Sequence, residues 1–376
     1  MAAIRVMITD DSAIIRRLIR DVIEGEPDLE VVGVAENGRI ALERIPELRP
    51  DVVTLDIEMP EMNGLETLDA IRKLRPRLPV IMFSTLTESG AEITLEALSR
   101  GASDFVTKPS GPGGLGRANS QIREQLVPKI RALTTLRKAV RPAPPGRADR
   151  PSAGPGPTAP TSPPSTVECV VLGISTGGPR ALERVIPKIP ADLPVPILAV
   201  QHMPKTFTRL LAERLDRVSA LTVVEAEEGM TVEAGRMYLS PGEHHLEVRR
   251  LGTSTRLALT DAPPEHSCRP SADVLFRSAV KVYGSHLLGV VMTGMGEDGS
   301  GGAREICAAG GRVIIQDEES SVVWGMPGAV ARLGLADREF PLDQIASEVT
   351  RRVRARSHVA QGPVDRVRNA APGTRP

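Results

Sequence analysis

Two sets of residues in this chain have the types and spacing for covalent chemistry. The first is acidic with one Lys. Asp10 and Asp11 follow IRVMIT, Asp56 follows VVTL, Ser84 follows VIMF, and Lys108 follows DFVT. Carboxylates that converge repel one another unless a cation lies among them. Oxygen-only ligands suit Mg2+, which accepts one or two carboxylates together with water and a phosphate. A carboxylate can itself take a phosphoryl group, and Lys108 and the Ser84 hydroxyl are suited to hold the phosphoryl oxygens. A lone Asp at a strand end more often caps a helix. Four strand ends that serve one coherent chemistry make capping alone a poor account.

The second set is nucleophilic. Ser175 lies in Gly173-Ile174-Ser175-Thr176-Gly177, a G-x-S-x-G pattern directly after an apolar run, the local form of a sharp strand-to-helix turn. The same pattern also fits an anion-binding Gly turn, or Ser175 as a simple helix cap. No GxxxxGK[ST] Lys and no acid at a ribose-binding position accompany it, which counts against nucleotide. A Ser nucleophile needs a base. Of the six histidines, His202 follows ILAVQ and so emerges at the same sheet edge as Ser175, while His245 and His266 are candidates to line the pocket. The favoured orienting acid is Asp298, in the Gly-rich loop after LLGVVMT, with Asp273 and Asp317 in reserve. That loop also offers the Met295 N–H as an oxyanion donor.

These side chains meet only if the elements bring them together. Residues 4–9, 30–35, 52–55, 80–83 and 104–107 read as strands with helical patterns between them. Alternation resumes at 167, with buried strands at 169–174, 197–201, 287–293 and 313–316. Alternation of this kind predicts parallel sheets covered by helices on both faces. The fold class is α/β, with two doubly wound parallel-sheet domains: a flavodoxin-like unit, then a larger Rossmann-like unit with a β-hairpin excursion between 221 and 259. In such sheets ligands bind at the carboxyl ends of strands, where both residue sets fall. The expected boundaries are 1–130 for the first domain, 131–166 for a Pro/Gly-rich linker, 167–355 for the second domain and 356–376 for a disordered tail.

Composition narrows the partners. The 47 basic and 47 acidic residues cancel, so no global field favours nucleic acid or anionic lipid. No DNA-reading helix-turn-helix is apparent. Aromatics make up 2% of the chain, too few for base-stacking platforms. The three cysteines form neither a disulfide framework nor a metal clip, which fits a reducing compartment. The first residues carry no charged-then-apolar leader, and no apolar run approaches the roughly 20 residues that span a bilayer. A cytoplasmic protein without membrane insertion is expected.

DDSAIIRRLI, TLDIEMPEMNGLE, MFSTLT and GASDFVTKP resemble the receiver domain of two-component response regulators. The resemblance implies phosphorylation of Asp56 by a histidine kinase, with Mg2+ on Asp10, Asp11 and Asp56. It further implies Ser84 as the switch hydroxyl, Phe105 as the rotating aromatic and Lys108 as the phosphoryl-sensing Lys. Asn63 stands where many receivers have Asp. GISTGGPRAL, VQHMP, LSPGEHHL and MTGMGEDG resemble the CheB family of chemotaxis protein-glutamate methylesterases. That resemblance implies a Ser175–His202–Asp298 triad, Met295 in the oxyanion hole and Thr176 supporting the His, with no cofactor in this half. The implied reactions are hydrolysis of glutamyl methyl esters on chemoreceptor cytoplasmic helices, releasing methanol, and deamidation of specific receptor glutamines. It also implies an unphosphorylated receiver packed over the hydrolase cleft. Two other readings remain open at this level: an output half that binds a partner without catalysis, and an amidase indifferent to its receiver.

Overall fold

The computed structural model describes residues 3–109, 114–139 and 166–355. Most of the expected linker (140–165) and the tail (356–376) lie outside the described residues. The first half alternates β1 (Ile4–Thr9), α1 (Ala13–Glu24), β2 (Leu29–Ala35), α2 (Gly38–Leu48), β3 (Val52–Asp56), α3 (Gly64–Leu74), β4 (Val80–Ser84), α4 (Glu88–Ser99), β5 (Asp104–Thr107) and α5 (Gly114–Ala139). Its five strands pair in parallel in the order β2-β1-β3-β4-β5. The strands are apolar and β-branched, and the helices start at polar caps. Ser12, Asn37 and Thr87 each accept a backbone N–H of the following turn, a contact worth about 1 kcal/mol. Asn63 has the same local task. It accepts from Glu66 N while the Glu66 carboxylate accepts from Asn63 N, both at 3.0 Å, which closes a capping box on α3.

The second half runs β6 (Cys169–Ile174), α6 (Gly178–Val185), β7 (Ile197–Gln201), α7 (Lys205–Val218), β8 (Thr222–Glu225), β9 (Arg236–Leu239), β10 (His245–Leu251), β11 (Ser254–Thr260), α8 (Ala272–Tyr283), β12 (Leu287–Val291), α9 (Ser300–Ala308), β13 (Arg312–Gln316), α10 (Met326–Arg332), β14 (Arg338–Phe340) and α11 (Leu342–Arg354). Seven of these strands form one parallel sheet, ordered β14-β13-β12-β6-β7-β9-β8. The hairpin excursion is narrower than the turn-rich patch suggests. Only β10 and β11 form it, as a separate antiparallel pair, whereas β8 and β9 extend the main sheet in parallel.

Alternate residues of the buried strands feed opposite cores. Val171 and Val200 face α8, α9 and α10. Leu172 and Ile174 join α6 and α7 in a cluster that continues without a break into Leu55, Met82 and Leu95 of the first half. Each large side chain fully withdrawn from water in this way contributes about 1.5–3 kcal/mol. The two halves therefore share apolar surface. No helix among the described residues is long and apolar enough to cross a membrane.

Candidate active site and phosphoryl-acceptor site

Strand order reverses at β6: the chain moves from it to β7 on one side, and β12 lies on the other. Ser175 leaves the end of β6 at this point. Ile174 pairs with Gln201 across the β6–β7 ladder, so Ser175 and His202 leave adjacent strands about 4.8 Å apart. His202 N donates to Ile174 O at 3.2 Å and Ser175 N to Thr293 O at 3.0 Å, which ties the three strand ends together. The turn demands glycine at two places. Gly177 has φ +78 and caps α6, and a Cβ on Gly294 would lie 2.9 Å from Ser175 Cβ and 2.3 Å from Met326 Sδ. The Gly294–Gly299 loop can thus run directly beside the Ser.

His202 Nε2 lies 2.8 Å from Asp298 Oδ2. The ionised carboxylate accepts, so Nε2 carries the proton and Nδ1 is the ring nitrogen that Asp298 leaves unbound. No hydrogen bond joins Ser175 Oγ to His202 among the described residues. Asp298 is nearly fully buried and takes donors from His202, Ser271 Oγ (2.7 Å), Ala272 N (2.7 Å), Asp273 N (3.0 Å) and Gly299 N (3.0 Å). Burial alone would raise its pKa, yet these bonds, His202 foremost, bring it down to about 2. Burial works against charge on His202, but the Asp298 hydrogen bond and the neighbouring Cys268 thiol outweigh it and raise the imidazole above its ordinary value. The Met295 N–H makes no hydrogen bond among the described residues, which leaves it free for an incoming oxyanion.

The other histidines and acids have different surroundings. His245 is fully buried and lies behind Asp298, its Nδ1 accepting from Ser271 N at 3.1 Å. His266 pairs with Asp273 at 3.0 Å. Asp317 binds Ser320 N and Oγ within its own turn. Sequence reasoning missed Ser271; its place before α8 is readable, but the direction of its hydroxyl is not.

In the first half Asp10, Asp11 and Asp56 offer oxygens all within 4.8 Å of one another. Lys108 Nζ lies 2.7 Å from Asp56 Oδ2 and 3.5 Å from Asp10 Oδ2. Both of those oxygens are buried, and apart from Lys108 neither has a donor among the described residues. Burial, then the Asp56 charge, raises Asp10 to about 6 against the pull of Lys108. Asp56 is raised too, chiefly by burial. An under-satisfied, oxygen-only cluster of this kind fits a hard divalent cation. Ser84 faces elsewhere: its hydroxyl donates toward Thr85 O and Gly90 O and accepts from Thr94 at 2.6 Å.

The two sites are linked by the contact between the halves. Thr176, next to the Ser, donates its hydroxyl to Asp104 Oδ2 of the first half at 2.7 Å. The family resemblance implied only that Thr176 supports the His, and it did not point to Asp104. Asp104 Oδ1 meanwhile accepts from Lys129 Nζ and Phe105 N. Phe105 stacks on Phe207 with ring centroids 4.5 Å apart. Ser99 donates to Glu183 at 2.6 Å, and Glu88 pairs with Arg209. Val322, Val323 and Met295, beside the Ser, pack into the core of the first half.

Known proteins match both halves. A model described as response regulator receiver domain matches residues 6–118, and one described as CheB methylesterase matches 170–349. A protein-glutamate methylesterase/protein-glutamine glutaminase of Nocardioides sp. is 50% identical, covering 94% of this chain and 96% of its own length. A protein of the same name from Trichodesmium erythraeum is 45% identical, covering 94% and 100%. The crystal structure of the Thermotoga maritima CheB methylesterase catalytic domain is 41% identical, covering 50% of this chain and 98% of that one, with a TM-score of 0.48. The chain belongs to the CheB methylesterase family, hydrolases with methylesterase and glutaminase activity, and it carries a response regulator receiver domain.

Proposed function

We propose that the chain is a cytoplasmic, phosphorylation-activated protein-glutamate methylesterase that acts on the cytoplasmic helices of chemoreceptors. The observation that carries this reading is the His202–Asp298 pair of 2.8 Å at the strand end beside Ser175. Ser175 is the nucleophile, and His202 takes its proton through Nδ1 as Oγ attacks the glutamyl carbonyl. Asp298 holds the imidazole tautomer and stabilises the imidazolium. The oxyanion is met by the Met295 N–H. Methanol leaves with the proton from His202, and water then hydrolyses the acyl-enzyme by the reverse proton path. Deamidation of a receptor glutamine follows the same route with ammonia as the leaving group. The catalytic half uses no cofactor.

Asp56 is the phosphoryl acceptor, supplied by a histidine kinase. Asp10, Asp11 and Asp56 would hold Mg2+, which would offset the phosphoryl charge. Lys108 and the Ser84 hydroxyl then have to turn to the new oxygens. Regulation rests on the Thr176–Asp104 and Phe105–Phe207 contacts: the receiver covers the rim of the cleft and engages the hydroxyl next to the nucleophile. If Ser84 swings from α4 to a phosphoryl oxygen, β5 and Phe105 follow, and the closed contact loses affinity relative to the open state. The domains under this reading are 1–130, 131–166, 167–355 and 356–376, although α5 runs across the first boundary to Ala139.

The test is methanol release from methylated receptor membranes, with and without a small phosphodonor and Mg2+. Release should rise with the phosphodonor and vanish in Ser175→Ala, a loss of at least about 10³-fold. Undiminished release by Ser175→Ala would refute the assignment.

A further inference from the structure

We propose that Ser271 is a positioning residue for Asp298, giving up the cap of its own helix to grip the catalytic carboxylate. Ser271 immediately precedes α8. A Ser at that place ordinarily turns its hydroxyl onto an N–H of the first helical turn. Here it makes no such bond. Its Oγ donates instead to Asp298 Oδ1 at 2.7 Å. The Ala272 and Asp273 N–H groups, at 2.7 and 3.0 Å, also go to Asp298. Asp298, from a loop 27 residues beyond Ser271, thus caps α8 in place of the local Ser, at the positive end of the helix dipole.

The grip is held from behind as well as from in front. Ser271 N donates to His245 Nδ1 at 3.1 Å. His245 Nε2 lies 3.2 Å from Pro263 O, a carbonyl that can only accept. Nε2 therefore carries the proton and Nδ1 is bare, so a neutral imidazole fixes the Ser271 backbone. Ser271, His245 and Asp298 are all at most 2% exposed, so no water is at hand to replace a lost donor. The two carboxylate oxygens divide their work. Oδ2 receives His202 and Ala272 N, while Oδ1 receives Ser271, Asp273 N and Gly299 N. Without the Ser271 hydroxyl, Oδ1 keeps two backbone donors and loses its only side-chain donor. The carboxylate is freer to rotate, and its negative charge is less neutralised. The imidazole is oriented less firmly, and the less neutralised carboxylate makes the imidazolium hold its proton more tightly.

This inference rests on the proposed Ser175–His202–Asp298 chemistry. The experiment uses the full phosphorylated chain and methanol release from methylated receptor membranes, with kcat and KM measured across pH. Ser271→Ala should lower kcat about tenfold or more, the fold-change expected for one hydrogen bond to a charged group. KM should stay near wild type, and the acid limb of the profile should move to higher pH. Ser271→Cys, of nearly the same shape but a weak donor, should shift the limb in the same direction, and Ser271→Thr, which keeps a hydroxyl, should recover most of the rate. Thermal unfolding and near-ultraviolet circular dichroism establish that each variant is folded. A wild-type kcat and an unmoved limb in folded Ser271→Ala or Ser271→Cys overturns the proposal, as does Ser271→Thr being as impaired as Ser271→Ala with its fold intact. Ser175→Ala is the parallel control: methanol release surviving there would fault the triad itself, whatever Ser271 does.

Discussion

Asp56 and Asp298 stand at corresponding places, each at the carboxyl edge of a parallel sheet beside the point where strand order reverses, yet their surroundings are opposite. Asp298 is fully provided for within its own half, and its pKa falls to about 2. Asp56 and its neighbour Asp10 are buried, each with an oxygen that has only the Lys108 ammonium for a partner among the described residues, and both are raised. The first arrangement is preorganised: its donors are in place before any substrate arrives. The second is under-satisfied, and on the proposed function it is completed by a cation when it takes a phosphoryl group. On the proposed function, one half therefore holds its chemistry ready and is controlled by access. The other is a poor electrostatic environment until it is modified, which suits a switch. Between them lies Thr176, a residue of the ready site whose hydroxyl is held by the switch at 2.7 Å.

The largest regulatory effect should come from the incomplete site. Asp56→Asn removes the acceptor and one of the charges that burial makes costly. The catalytic site is untouched, so basal methanol release should persist while the response to a small phosphodonor disappears. Coupling between two sites is typically worth about 5- to 150-fold, and that whole factor should be lost. Equal stimulation of Asp56→Asn and wild type by phosphodonor would show that the switch does not work through this carboxylate.

A smaller effect is expected at the seam. Asp104→Ala frees the Thr176 hydroxyl and breaks the Lys129 pair, while touching neither Asp56 nor Ser175. Release by the unphosphorylated chain should rise roughly three- to tenfold, the factor expected for one buried hydrogen bond to a charged group with partial compensation. The fully phosphorylated rates should converge. A variant as quiescent as wild type, with normal thermal stability, would mean that Thr176 is not restrained by Asp104.

Much of this arrangement was legible in the residues, for a physical reason. A strand end in a parallel sheet has a predictable address, so Ser175 after β6 and His202 after β7 had to emerge side by side, as did Asp10 and Asp56 at the ends of β1 and β3. Contacts made by free rotation or by tertiary docking carry no such address. The Ser271 hydroxyl turns to Asp298 rather than to its own helix, and Thr176 finds Asp104, 72 residues back along the chain. Ser84 binds Thr94 rather than facing the acids. The turn-rich patch at 221–259 read as one excursion because β8 and β9 are short. Burial against β7 draws them into the main sheet, a tertiary effect that local pattern does not encode.

The smallest expected effect tests whether the seam is held by charge or by packing. Arg209 of α7 pairs with Glu88 of α4, but both side chains are well exposed, at 44% and 62%, and Arg209 also has Glu213 as a partner at 2.9 Å. Exposed pairs of this kind contribute little and are screened by salt. Arg209→Glu should therefore raise unphosphorylated release by no more than about twofold, and adding Glu88→Arg should reverse that change. The buried Phe105–Phe207 stack and the Thr176–Asp104 bond keep the halves together in the meantime. Activation of Arg209→Glu that matched Asp104→Ala, and that faded in high salt, would shift the weight from buried contacts to surface charge. The seam would then open by ionic strength as well as by phosphorylation, and the contrast between the ready site and the incomplete one would have to include a third, screened element.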